Sequence, residues 1–112
     1  MNNFLISETV DFLKVLGDKT RLSILQLLKE EEKSAAQLED ELDKSQSTIS
    51  QHISILKDAN LINSNKNGRV NYYHIKSAQV FRILSRIKSL IIKKKKEKLD
   101  SLEKIHIDDI LL

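Results

Sequence analysis

Residues 45–58 read Ser-Gln-Ser-Thr-Ile-Ser-Gln-His-Ile-Ser-Ile-Leu-Lys-Asp. Wound at about 100° per residue, Ile49, Ile53 and Leu56 fall on one stripe. Ser47, Ser50, Gln51 and Ser54 fall on the other side, with Gln46 and Thr48 in the first turn. A merely solvated helix face more commonly carries Lys and Glu; this one carries hydroxyls and amides. Gln bonds adenine bidentately, and Ser or Thr serves base edges or phosphates. Lys57 lies near the end of the same segment, and Lys66 and Arg69 flank Asn67-Gly68 a few residues on. Such cations reach backbone phosphates or a narrow minor groove. The plain alternatives are an exposed helix that starts with a run of caps, and a hairpin whose charges keep its edge from aggregating. Side by side, the two segments favour contact with a nucleic-acid duplex.

Other chemistries find little support. Cysteine is absent, which removes disulfides, thiolate metal sites, iron–sulfur clusters and cysteine nucleophiles. No usable Ser-His-Asp order, glycine-rich phosphate loop or inward carboxylate pair occurs, so neither an enzyme nor a cofactor is expected. Of the three histidines, His52 sits at the edge of the apolar stripe and reads as a packing or phosphate-contact residue. His74 alternates with Tyr72 and Val70 and reads as packing in a strand. His106 with Asp108 and Asp109 resembles a hard-ion cluster at a chain end, where coordination is unusual, and no metal site is expected.

The chain has 112 residues, 40% hydrophobic and 31% charged, which fits one globular domain over 1–112. With no proline and two glycines, few turns interrupt it and a mostly helical protein follows. No apolar run is long enough to span a membrane, and the N-terminus lacks a charged start followed by an apolar stretch, so a cytoplasmic protein is expected. The net charge of +3 hides segregation. Residues 28–43 set seven carboxylates against Lys29 and Lys33; residues 44–75 set Lys44, Lys57, Lys66 and Arg69 against Asp58. Residues 82–98 hold eight cations, including Lys93–Lys96, against Glu97, and residues 99–112 are acidic again. A basic middle between acidic flanks implies an anionic partner.

These residues need a frame to hold them. Ile6, Val10, Leu13 and Leu16 predict a first helix over about 7–16, with Gly17 as a left-handed terminator. Asp18 reads as the N-cap of a second helix, whose face is Leu22, Leu25 and Leu28 with Ile24 and Leu27. It fades in Glu30–Glu32. Ser34-Ala35-Ala36-Gln37 is a capping box for a third helix over 34–42. After a tight turn at Asp43-Lys44, Ser45 caps a fourth over 45–59, and the pair makes a helix-turn-helix. Strands over 61–65 and 69–75 flank Asn67-Gly68, the preferred dipeptide of a type I′ hairpin loop. From about residue 77 a long C-terminal helix resumes. The expected fold is mainly α with a small β-hairpin, ordered α-α-α-α-β-β-α: a winged helix-turn-helix.

Three segments carry a specific resemblance: Leu16-Gly17-Asp18-Lys19-Thr20-Arg21-Leu22-Ser23-Ile24-Leu25, Ser45 through Leu56, and Gly68-Arg69-Val70-Asn71-Tyr72-Tyr73. In this order and spacing they resemble the ArsR/SmtB family of winged-helix repressors, over roughly residues 10–80. The resemblance implies a homodimer that sets helix 45–59 of each protomer in the major groove of a partly palindromic operator. It also implies repression by occlusion, relieved by an effector whose identity the sequence leaves open. Members that sense soft metals carry Cys-x-Cys at the start of the third helix; the matching positions here are Ser34 and Ala36, which bind no such metal. A second family site uses an Asp-x-His pair and a further His on the last helix. Asp100, His106, Asp108 and Asp109 lack that spacing.

Val80, Ile83, Ile87 and Leu90 follow a 3-4-3 stripe suited to helix pairing. Part of this stripe is expected to dock on the chain's own core; the family resemblance implies that the first and last helices form the dimer seam, which Phe4, Ile6 and Phe12 can join. A protein-interaction module without DNA binding and a sequence-indifferent architectural protein remain the competing readings.

Overall fold

The computed structural model describes residues 2–111, with side chains described over 2–106. Helices α1 (Asn3–Leu16), α2 (Lys19–Glu30), α3 (Ala35–Leu42) and α4 (Gln46–Asp58) precede the hairpin, and α5 (Gln79–Leu111) follows it. The strands are β1 (Lys33–Ser34), β2 (Ile62–Asn67) and β3 (Val70–Ile75). The chain divides into two compact units, Met1–Ala78 and Gln79–Leu112.

In the first unit the core is Leu16, Ile24, Leu25, Leu28, Leu38, Ile49, Ile53, Leu56, Leu61 and Ile62, all buried. Each helix of the helix-turn-helix supplies its apolar stripe to this core, so burial fixes the outward face of α4 by default. The expected caps form. Asp18 Oδ1 accepts from Arg21 N at 3.0 Å, and Ser45 Oγ from Thr48 N at 3.2 Å. Ser34 and Gln37 complete the capping box, with Ser34 N donating to Gln37 Oε1 at 2.8 Å.

The observed order is α-α-β-α-α-β-β-α, one strand more than expected. β1 pairs antiparallel with β3, Lys33 opposite Tyr73 and Ser34 opposite Tyr72, giving a three-stranded sheet in the order β1-β3-β2. Two residues give no periodic signal; the pairing arises because the chain must cross β3 on its way into α3. Helix α1 begins at Asn3 and not at about residue 7, because Asn2 Oδ1 accepts from Leu5 N at 2.8 Å and caps it there. Leu22 is exposed, at the border of the α2 face.

Four turns differ from or add to expectation. Gly17 is not left-handed (φ −79°); a Cβ there would come 3.2 Å from Leu13 O, so close backbone approach is what favours glycine. The left-handed residues are Asp43 (φ 52°) and Asn60 (φ 59°), types that tolerate this region better than most. Both close Schellman motifs, which satisfy carbonyls that a helix end leaves over. Lys44 N donates to Glu39 O at 3.1 Å and Asp43 N to Asp40 O at 3.3 Å; Leu61 N donates to Leu56 O at 3.1 Å and Asn60 N to Lys57 O at 2.9 Å. In the hairpin Asn67 pairs with Val70, so the two-residue loop is Gly68-Arg69 and not Asn67-Gly68. Gly68 has φ +66° while Arg69 has no positive φ, the glycine-first pattern of a type II′ loop.

In the second unit, α5 is a single helix of 33 residues, about 50 Å long at 1.5 Å per residue. Val80 is buried, whereas Ile83, Ile87, Leu90, Ile91, Leu99, Leu102 and Ile105 are exposed.

Candidate nucleic-acid interface

The three-residue turn Asp43-Lys44-Ser45 sets the angle between α3 and α4, and the left-handed Asp43 makes so short a turn possible. On α4, Gln46, Ser47, Ser50, Gln51 and Ser54 are exposed; Ser47, Gln51 and Ser54 stand opposite buried Ile49, Ile53 and Leu56, Ser50 stands to one side, and Gln46 lies in the first turn. Lys57 is exposed in the last turn. This face bears no formal charge before Lys57, so its contribution is hydrogen-bond donors and acceptors of fixed pitch.

Not all of its hydroxyls stand clear. Ser45 Oγ lies 2.8 Å from Thr48 Oγ1 and 3.3 Å from Ser47 Oγ. Thr48 is half-buried and its hydroxyl belongs to the N-cap cluster. Thr48, expected among the outward contacts, thus shares its hydroxyl with the cap of the helix. Ser47 remains exposed.

The wing places Lys66 opposite Asn71 near the end of β2, and Arg69 in the loop itself. Both are exposed. The corrected loop register sets Arg69 at the extreme tip, where a side chain has the greatest reach. On the same hairpin His74 Nδ1 is buried without a hydrogen-bond partner, consistent with a packed strand position.

Two side-chain clusters carried no sequence signal. Lys33, only 6% exposed, donates from Nζ to Glu41 Oε1 and Glu31 Oε1, each at 3.1 Å. The bond to Glu41, then that to Glu31, holds its ammonium above the usual lysine range. Glu31 belongs to an acidic run that reads as solvent-facing. The second cluster is Arg21 with His52, 31 residues apart in sequence and 3.0 Å apart in space. His52 thus packs against α2. Arg21 N also lowers the Asp18 carboxyl below the usual carboxylate range by hydrogen bonding; burial opposes this and the Arg21 charge adds to it.

Of the residues expected in a dimer seam, Phe4 and Ile6 on α1 and Ile83, Ile87 and Leu90 on α5 are exposed. Val80, also expected there, is 1% exposed. Phe12 is half-buried and, with Val15 and Ile55, lines a cleft of about 430 Å³ between α1 and the end of α4. Among the described residues no group of three or more His, Asp or Glu side chains is placed to hold a metal ion. His106 is exposed; Asp108 and Asp109 lie outside the residues whose side chains are described. No helix among the described residues is long and apolar enough to cross a membrane.

Residues 18–64, which span α2 through the start of β2, match the family described as "Bacterial regulatory protein, arsR family". An uncharacterized HTH-type transcriptional regulator of Methanocaldococcus jannaschii is 38% identical over 84 residues, 74% of this chain and 94% of that protein. The arsenical resistance operon repressor of Staphylococcus aureus is 37% identical over 71 residues, 63% of this chain and 68% of the relative. The structure of reduced HlyU from Vibrio cholerae superposes with a TM-score of 0.65 at 31% identity, covering 75% of this chain and 88% of that one. Family match, helix-turn-helix and most of the core coincide, so the chain belongs to the arsR family of bacterial regulatory proteins and is a DNA-binding transcriptional regulator of winged helix-turn-helix type.

Proposed function

We propose that the protein is a homodimeric repressor that reads a partly palindromic operator. Each protomer sets α4 into a major groove and its wing against the adjoining backbone. The observation that carries this is the outward face of α4: Ser47, Gln51 and Ser54 are exposed and uncharged opposite a fully apolar stripe, with exposed Gln46 and Ser50 beside them. Base readout falls to these residues with Ser47 and Ser54; affinity and its salt dependence fall to Lys57, Lys66 and Arg69. Thr48 acts through the cap.

The exposed apolar residues of α1 (Phe4, Ile6) and of α5 (Ile83, Ile87, Leu90) support pairing of two copies through these helices. The whole chain then works as one DNA-binding domain, with α1 and α5 as its dimerisation elements, in the cytoplasm. Repression by occlusion needs nothing beyond an occupied operator, and the S. aureus relative is named a repressor. The absence of cysteine favours an effector other than a soft metal; its identity is open. No catalytic role is assigned.

The deciding experiment is a gel-shift series with a duplex selected from a random pool and with random duplex, each at two salt concentrations. Sequence-specific regulation requires the selected duplex to bind about 10³-fold or more tightly. Equal affinities for both, falling steeply with salt, mark an architectural protein. No binding to either marks a protein-interaction module.

A further inference from the structure

One guanidinium joins three helices of the first unit. Arg21, in the first turn of α2, donates from Nε to Val15 O at 2.7 Å and from Nη2 to Lys14 O at 3.0 Å. Both carbonyls belong to the last turn of α1, where a helix leaves acceptors over. Its Nη1 lies 3.0 Å from Nδ1 of His52, in the middle of α4. A guanidinium has donors and no acceptor, so a hydrogen bond between them requires His52 Nδ1 to accept, with the ring proton on Nε2. Asp18 Oδ1 stands 3.9 Å from the same nitrogen, outside hydrogen-bond range. The imidazole side chain is only 16% exposed, so water competes poorly for the bond.

We infer that Arg21 is a positioning residue for DNA binding, which locks the roll of α4 to the end of α1 through His52. This rests on the reading of α4 as the DNA-contacting helix. His52 occupies the border between the buried stripe and the outward face. A rotation of α4 that moved Gln51 relative to a base edge would pull Nδ1 away from Nη1. The other two bonds of Arg21 hold the guanidinium against α1, so the lock has a fixed base. Because α1 carries part of the proposed dimer seam, the same bond relates the direction of base contacts to the helix that sets half-site spacing.

The test has two arms. In nitrogen-resolved imidazole NMR of the full chain without DNA, wild-type His52 is expected as the Nε2–H tautomer. In Arg21→Ala the ring is expected to sample both tautomers. A wild-type ring protonated on Nδ1, or doubly protonated at neutral pH, overturns the lock. In the second arm, Arg21→Ala and His52→Ala each weaken binding to a selected duplex about tenfold or more, and the double variant falls no further than the worse single one. Random duplex loses less, because phosphate contacts tolerate a small roll of α4. His52→Gln, whose side-chain oxygen can accept from Nη1, stays within about threefold of wild type. Additive losses, or a Gln variant as poor as Ala, overturn the inference. Should Arg21→Ala fail to fold, the tautomer of the wild-type ring and the Gln-versus-Ala comparison at His52 decide it. Wild-type protein that binds no duplex sinks the reading of α4, while the NMR arm still judges the lock.

Discussion

Leu90 tests the dimer with a magnitude that exposure sets in advance. It is 68% exposed in one chain, so truncation removes little that holds the monomer together. Full burial of such a side chain contributes about 1.5–3 kcal/mol. Burying the exposed two-thirds contributes about 1–2 kcal/mol per protomer, and a two-fold interface counts it twice, giving about 2–4 kcal/mol. Leu90→Ala should therefore raise the dimer dissociation constant roughly 30- to 1000-fold, at about 1.4 kcal/mol per factor of ten. Sedimentation velocity across a concentration series reads this directly, and thermal melts at high concentration check that the fold survives. Binding to a two-half-site duplex should weaken in parallel, because the second half-site contact ceases to be intramolecular. A wild-type protein that sediments as a monomer at micromolar concentration refutes the reasoning. So does an Ala variant whose dissociation constant matches wild type, since Leu90 would then lie outside any interface.

Three further outcomes follow from the site. Gln51→Ala should narrow the gap between selected and random duplex by about 1–3 kcal/mol, whereas Arg69→Ala should weaken both and make the salt slope shallower by about one unit; titrations at several salt concentrations separate the two, and the reverse pattern would move specificity to the wing. Asp18 has a carboxyl held below its usual range, so it contributes stability that is present above the ordinary carboxylate range and lost as pH falls through the lowered value; Asp18→Asn keeps the cap and should flatten that acid dependence, while Asp18→Ala costs about 1 kcal/mol at neutral pH, both read by denaturant melts. Zinc, cadmium or arsenite at stoichiometric amounts should leave affinity for the selected duplex unchanged; a tenfold loss in a gel shift would point first to His106 with Asp108 and Asp109.

Much of this protein follows from local chemistry. The caps Asp18, Ser34 and Ser45 are side-chain-to-backbone bonds across three residues, and each is visible in the sequence because its partners lie within one turn. The buried stripe Ile49-Ile53-Leu56 follows from helical period alone, and so does the outward set of amides and hydroxyls. Asn67-Gly68 marked a hairpin in the right place, but the loop type depended on which residues of β2 and β3 face each other, a register that the whole sheet decides. What the sequence could not determine are contacts whose partners are distant along the chain. β1 exists because β3 offers it an edge some forty residues later. Lys33 is buried with Glu31 and Glu41 each 3.1 Å from its Nζ, and Glu41 comes from a different element eight residues on. Arg21 reads as one more charge in the first turn of α2, and its place between α1 and His52 depends on how α2 packs on α4. Periodicity fixes which face of a helix is buried, because burial is an average over many apolar neighbours; a single directed bond between two side chains is fixed only when the packed backbone brings both within 3 Å.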